Sequence, residues 1–149
     1  MTAPSAGTRA LEALNLQECW GLLTRDTIGR LAYTNGDRPT ILPINYVVSG
    51  NDVLLRTDPG SALATAIDGQ VVAFEIDRID RTTHSGWSVV VVGHVTTEDL
   101  TNQPPRPSLA GLEPWAEGGR GLLIRIEVDA ISGRRLVPPL PEPRKRRSR

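Results

Sequence analysis

The sequence predicts a mainly β protein: a closed or nearly closed antiparallel barrel with a few short helices. Three observations lead there. Runs rich in β-branched residues recur along the chain, among them "GRLAYT", "PTILPINYVVS", "VLLRT", "QVVAFEID", "GWSVVVVGHVTT" and "RGLLIRIEVD", with a last piece "GRRLV". Short turn signals ("NGDR", "SGND", "DG") separate many of them, which suits antiparallel neighbours. Helical periodicity appears only in brief stretches, so about six or seven strands stand against two or three short helices. At 149 residues the chain is long enough for one domain with a real core and too short for two ordinary ones.

In chain order, "NLQECWGLLTRD" opens the folded part. Asn15 is placed to cap a helix, with Glu18 three residues on, a variant of the capping box. Leu16, Trp20 and Leu23 then fall on one helical face. From Gly29 the period changes to that of strands, and Asn35-Gly36 marks a hairpin between the first two. Pro43 lies inside the second run; without an N–H it belongs at a sheet edge, a bulge or an open side. A short helix is expected at 61–67. The stretch 101–119, "TNQPPRPSLAGLEPWAEGG", holds four prolines and is too long for an ordinary connection, so it is read as functional or as lying along a partner surface, with Trp115 kept out of water. No internal repeat is visible. The expected organisation is a flexible segment at 1–14, one barrel domain at 15–137, and a disordered Pro-rich and basic tail at 138–149.

The charge total hides an asymmetry. Lys and Arg number 17, as do Asp and Glu, but "RKRRSR" at 144–149 carries five of the basic residues and the only lysine, Lys145. Residues 1–137 therefore hold twelve arginines against sixteen acids and are mildly acidic. That argues against a body built to grip nucleic acid, and the tail reads first as a solvated end, with a weak polyanion contact as the lesser reading. No apolar run approaches the roughly 20 residues of a membrane span, and no signal-peptide pattern opens the chain. One cysteine, Cys19, rules out an internal disulfide framework and fits a reducing, cytoplasmic setting.

Self-sufficient catalytic constellations are missing from the sequence. There is no GxSxG, Walker or GxGxxG motif. His84 and His94 have no third ligand at a useful spacing, which argues against a metal site; surface or internally satisfied histidines are the expectation. The acids of "EIDRID" (Glu75, Asp77, Asp80) suit an exposed strand end better than paired-carboxylate catalysis. Two stretches stand out instead. "LLRTDPGSALATAI" delivers Arg56, Thr57 and Ser61 to a strand-to-helix turn, where a guanidinium fork, hydroxyls and unpaired amides suit a phosphate. A turn whose Thr57, Asp58 or Ser61 merely caps the helix is the competing reading. "LPINYVV" places an amide (Asn45) and a phenol (Tyr46) beside backbone freed by Pro43, again with a plain bulged edge strand as competitor.

The order "GRLAYTNGDRPTILPINYVV", "VLLRTDPGSALATAI", "VVAFEIDRID", "SGWSVVVVGHV", "LEPWAEGG" and "ISGRRL" resembles the pyridoxamine 5′-phosphate oxidase-like proteins of the flavin-binding split-barrel superfamily. Within it, the chain resembles the small group that includes nitroimidazole-resistance proteins. The resemblance runs from about Cys19 to Leu136. It implies a six-stranded antiparallel split barrel that works as a homodimer and binds FMN, or the deazaflavin F420 as the alternative, in a groove at the dimer interface. By position, Pro43, Ile44, Asn45 and Tyr46 would lie along the isoalloxazine. Arg56, Thr57, Ser61 and Ala62 would surround the phosphate, Trp87 and Ser88 would close the groove, and Trp115 would pack at the interface. The chemistry implied is hydride transfer at the flavin ring, to or from an unidentified small molecule. The sequence departs from that pattern at Ala62, where relatives commonly carry lysine, and at Val92, where they often carry a basic residue. A non-catalytic split-barrel protein that has lost or weakened cofactor binding, and binds a ligand or partner, is therefore the alternative function.

Overall fold

A computed structural model describes residues 10–112 and 121–138. Trp115 and the basic tail at 144–149 lie outside the described residues. In chain order the elements are β1 (Ala10–Ala13), α1 (Leu16–Arg25), β2 (Ile28–Asn35), β3 (Arg38–Asn45), β4 (Val47–Ser49), β5 (Asp52–Thr57), α2 (Ala62–Ile67), β6 (Val71–Asp80), β7 (Ser85–Asp99) and β8 (Leu122–Val137). All strand pairs are antiparallel, in the order β3-β2-β6-β7-β8-β5-β4, with β1 on the far end of β8. Six of the strands are long; β1 and β4, with four and three residues, are short additions to them. β1 corrects the expectation of a flexible 1–14 segment: Ala10–Ala13 pair with Arg134–Val137, extending the ladder at the end of the long β8.

The run "PTILPINYVVS", expected as one strand, is two. Its halves pair at opposite ends of the strand order, β3 with β2 and β4 with β5, although only Tyr46 separates them. A sheet whose two edges are joined through one residue has to curl on itself, and this corner closes the barrel. Tyr46 holds it. Its N–H donates to the Thr27 carbonyl at 2.9 Å and its phenol to the Leu23 carbonyl at 2.5 Å, while its ring meets Phe74 edge-on at 4.9 Å. Burial, with Asp26 nearby, pushes the phenol pKa upward, so it stays a donor.

Alternation fills the interior. Leu31 and Tyr33 (β2), Val72, Phe74 and Ile76 (β6), Val89, Val91 and Val95 (β7), Ile124 and Ile126 (β8) and Val53 and Leu55 (β5) share one buried cluster. Leu63 and Ile67 of α2 and Cys19 and Leu23 of α1 join it. Gly29 is required where it stands, because a Cβ there would come within 2.2 Å of the Phe74 ring. The strand register shifts once, between Val92 and Gly93, where a bulge lets β7 and β8 twist past each other. Gly36 has φ +65° in the Asn35-Gly36 hairpin, as that turn requires. Pro43 sits on β3, at the end of the strand order, where a missing N–H leaves the ladder intact.

α1 is capped as expected: the Asn15 side chain accepts from the Glu18 N–H at 2.8 Å and its amide donates to Glu18 Oε1 at 2.9 Å. Its buried face is not the expected one. Cys19 and Leu23 are buried and Trp20 and Leu22 pack beside them, but Leu16 is 65% exposed. The true stripe starts at Cys19, because the helix meets the sheet only after its first turn. Burial, with Glu18 nearby, raises the Cys19 thiol pKa, which keeps it an inert core residue.

Candidate functional site

The turn after β5 is built by its own polar groups. Leu55 points into the barrel, so Arg56 points out, on the face of Leu54. Asp58 Oδ1 accepts from the Gly60 N–H at 2.8 Å, and the Ser61 N–H donates to the Asp58 carbonyl at 3.0 Å. Ser61 then caps α2, its hydroxyl accepting from the Ala64 N–H at 3.1 Å and lying 3.0 Å from Thr57 Oγ1. Leu63 and Ile67 anchor the other face of α2 in the core. The result is a fixed pair of hydroxyls in the turn that follows the outward arginine, with only the Ala62 methyl at the first helical position.

A second, smaller apolar cluster covers this outer face. Leu54, Leu112 and Leu123 are buried together, with Val47, Leu100 and Leu109 packed on them. The Pro-rich stretch thus folds back over β4, β5 and β8, through a 3-10 turn at Pro107–Leu109. Across the sheet, Arg56 is paired with Leu123 and Leu123 with Glu98, so all three share the outward face. Glu98 grips Arg106: one carboxylate oxygen accepts from Nη2, the other from Nη1 at 3.1 Å, and Nη2 also donates to Gln103 Oε1 at 2.6 Å. The Arg106 guanidinium holds the Glu98 carboxyl below its usual range, and Glu98 in return raises Arg106. Between Arg56 and this segment lies an open cleft of about 510 Å3, with Arg106, Gln103, Leu100, Leu109 and three prolines on its walls. Guanidinium and amide donors over an apolar floor suit an anionic group that carries a flat or apolar portion.

The predicted site residues divide by position. Arg56, Thr57, Ser61 and Ala62 form the turn, and the Asn45 amide reaches toward the same flank, 3.5 Å from the Gly111 carbonyl. Pro43 lies on the outward face of edge strand β3, opposite Arg30. Ile44 is packed against the main core. Tyr46 corrects the expectation of a phenol facing a ligand: its side chain is 2% exposed and committed to Leu23, because the chain needs it at the barrel corner. Trp87 also leans on the main core, while Ser88 faces outward between Asp77 and Arg134. Sequence reasoning missed Arg106 and Gln103. The available signal was a single arginine within "QPPRPS", inside a stretch already marked as too long for a plain connection.

Elsewhere on the outward face, Ile41, Ala32, Ala73, Val92 and Ala130 line up across five strands by register. Ile41 in this row is 70% exposed. In the next row Arg30 lies 3.1 Å from Asp77 and 3.9 Å from Glu75. Glu75 Oε1 is buried without a hydrogen-bond partner. Burial and the adjacent Asp77, against the opposing pull of Arg30, push Glu75 up to about 7. His94 Nδ1 is 2.5 Å from Asp129 Oδ2, an exposed pair that fits the satisfied surface histidine expected from sequence. Among the described residues no His, Cys, Asp and Glu group could hold a metal ion, and no helix is long and apolar enough to cross a membrane.

A family model described as pyridoxamine 5′-phosphate oxidase matches residues 15–135, the whole sheet except its first strand and the end of β8. The chain belongs to that family. Its fold is the flavin-binding split barrel, as the strand order and the resemblance in sequence both indicate. Over 140 residues, covering 91% of each chain, it is 31% identical to the uncharacterized protein Rv0080 of Mycobacterium tuberculosis. Among solved structures it resembles the FAD binding protein from Mycobacterium smegmatis, at 32% identity and a TM-score of 0.64, covering 85% of this chain and 98% of that one. An FAD-binding protein from Mesorhizobium loti shares the fold at 22% identity and a TM-score of 0.67, covering 87% and 99% of the two chains.

Proposed function

We propose that this chain is a flavin-dependent oxidoreductase of the pyridoxamine 5′-phosphate oxidase-like type, working as a homodimer. The observation that carries the reading is the strand-to-helix turn that follows the outward Arg56 and holds the Thr57–Ser61 hydroxyl pair, in a chain similar to a protein named as FAD-binding. Arg56 offers a guanidinium fork to a phosphate, and the two hydroxyls, 3.0 Å apart, offer further contacts without rearranging the turn. The Pro43–Asn45 edge gives backbone groups for the ring system, and Ser88 and Trp87 border the groove from β7. Flavin, when bound, supplies hydride transfer; the chain's own residues orient it and limit access of water. FMN and FAD are the flavins that the donor set suits, with F420 as the alternative cofactor. The apolar row from Ile41 to Ala130 supports dimerisation, since a second copy would cover it.

One observation favours a second reading, a split-barrel protein that binds its ligand without turnover. The described part of the cleft has arginines, an amide and apolar groups but no acid, base or nucleophile aimed into it, and position 62 offers only a methyl. The absorption spectrum of the purified protein, followed by fluorescence titration with FMN, FAD and F420, separates these readings from each other when a turnover assay with a reduced nicotinamide donor is added. Micromolar binding of one of the three is the expected result; a colourless protein that binds none of them overturns the cofactor reading. Arg56→Ala is expected to weaken binding by about 10- to 100-fold, the worth of one charge-assisted contact. Ala62→Lys is expected to tighten it by about tenfold.

A further inference from the structure

We propose that the Arg30, Glu75 and Asp77 group lies inside the contact between two copies of this chain and makes that contact tighter as pH falls; the inference rests on the homodimer reading. β6 supplies the frame. Val72, Phe74 and Ile76 point into the core, so Val71, Ala73, Glu75, Asp77 and Ile79 share the outward face. Val71 and Ile79, at opposite ends of that series, are exposed, with the two carboxylates between them. Ile28, Ile41 and Val92, also exposed, stand on the same face of β2, β3 and β7. The Ile41–Ala130 row is too small to hold two copies together by itself. A row across five strands covers only roughly 150 Å2, whereas a stable homodimer buries about 800 Å2 on each copy. A contact of that size extends from the Ile41 row over Arg30 and Asp77 toward Ile79. Two-fold symmetry presents the same face from both copies, so two such groups are covered together.

The group carries an imbalance. Arg30 donates to Asp77 Oδ2 at 3.1 Å but stands 3.9 Å from Glu75 Oε2, so its hydrogen bond goes to Asp77. Glu75 Oε1 is buried with no partner. With Glu75 ionised, two carboxylates share one guanidinium and a negative charge is left over. With Glu75 protonated the group is neutral, and its O–H can donate to Asp77. The other side chains around Glu75 carry no charge: Val90 across from it on β7, Ser132 beyond on β8, and Pro43 behind Arg30 on β3. Arg134 lies in the Asp77 row across Ser88, two strand spacings away, roughly 10 Å between backbones. Covering the group removes the water that ionised Glu75 needs, and so raises it above the value of about 7 that it has in one copy. The dimer therefore holds protons that separate copies release. Its formation is favoured as pH falls through about 7 and weakened as pH rises above it. His94, bonded to Asp129 at the margin of the face across from Val71, is a second titratable group there, and a variant of its own separates it.

The test is the dimer dissociation constant of the full chain at pH 6 and at pH 8.5, by sedimentation with fluorescence detection. The expected result is a dimer at least ~10-fold weaker at pH 8.5. Glu75→Gln should dimerise at both pH values as tightly as the unaltered chain does at pH 6, within about threefold. Asp77→Asn should move the transition to lower pH, because it removes the adjacent acid and frees Arg30 for Glu75. His94→Gln should keep the dependence. Where dissociation lies below the reach of dilution, exchange between labelled and unlabelled dimers reads the same comparison, at least ~10-fold faster at pH 8.5. A dimer of equal strength at both pH values overturns the proposal while the homodimer reading stands. So does a dependence that persists in Glu75→Gln, stays unmoved in Asp77→Asn or disappears in His94→Gln. A monomer at both pH values overturns both.

Discussion

The two apolar clusters of this molecule do different work. The main cluster lies inside the curled sheet, takes residues from five long strands and both helices, and is closed by Tyr46 at the corner between β3 and β4. The smaller one, around Leu54, Leu112 and Leu123, lies outside the sheet and fixes the Pro-rich segment over β5 and β8. The first determines that there is a barrel. The second determines where Arg106 stands relative to Arg56, and so what the outer face can recognise. On the proposed function, stability and recognition are carried by opposite faces of the same strands, and substitutions should separate them.

The largest effect belongs to the interior. Tyr46→Ala removes a buried ring, its contact with Phe74 and the partner of the Leu23 carbonyl, and is expected to cost about 3–5 kcal/mol in denaturant unfolding. A loss below about 1 kcal/mol would mean that Tyr46 does not close the barrel. Leu112→Ala should cost less, about 2 kcal/mol, and mostly locally. Faster amide exchange in residues 100–112, with the strands unchanged, is the signature; uniform loosening of the whole sheet would merge the two clusters into one. Ile41→Glu leaves both clusters intact and places a charge in the exposed apolar row. Sedimentation should show a dimer becoming a monomer with no change in thermal stability at low concentration, whereas an unchanged dimer would move the interface elsewhere.

The smallest effect is electrostatic. Glu75 has its folded pKa raised to about 7 from an ordinary glutamate value, so the folded state holds a proton that the unfolded state gives up. Its contribution is complete at acid pH and is lost as pH rises through about 7. Glu75→Gln should therefore raise the melting temperature at pH 8 and change little at pH 4, an effect kept under ~1 kcal/mol by its partial exposure. A variant that is less stable at pH 8 would show that the ion pair with Arg30 outweighs burial.

Much of the barrel was legible in the sequence because strand alternation and turn chemistry are local. The Asn35-Gly36 hairpin, the edge position of Pro43 and the short helix after Ser61 all follow from residues within a few positions of one another. The failures come from distance. Nothing near Tyr46 reveals that β3 and β4 pair at opposite ends of the sheet, so its phenol read as exposed when it is a corner of the core. Leu16 matched the helical period, but the sheet begins to cover α1 only at Cys19. The turn around Arg56 was legible as a candidate anion site from its own residues. Arg106 was not, because the register that aligns Glu98, Leu123 and Arg56 joins segments about 25 to 67 residues apart.

Hydrogen exchange on the full chain, with and without saturating FAD, tests most directly whether recognition belongs to the outer cluster. Amides of Arg56–Ser61 and of Leu109–Leu112 should slow on binding, while those of Val89–Val95 inside the barrel wall stay as they were. Slowing confined to the barrel strands, with 56–61 and 109–112 unchanged, would contradict the account.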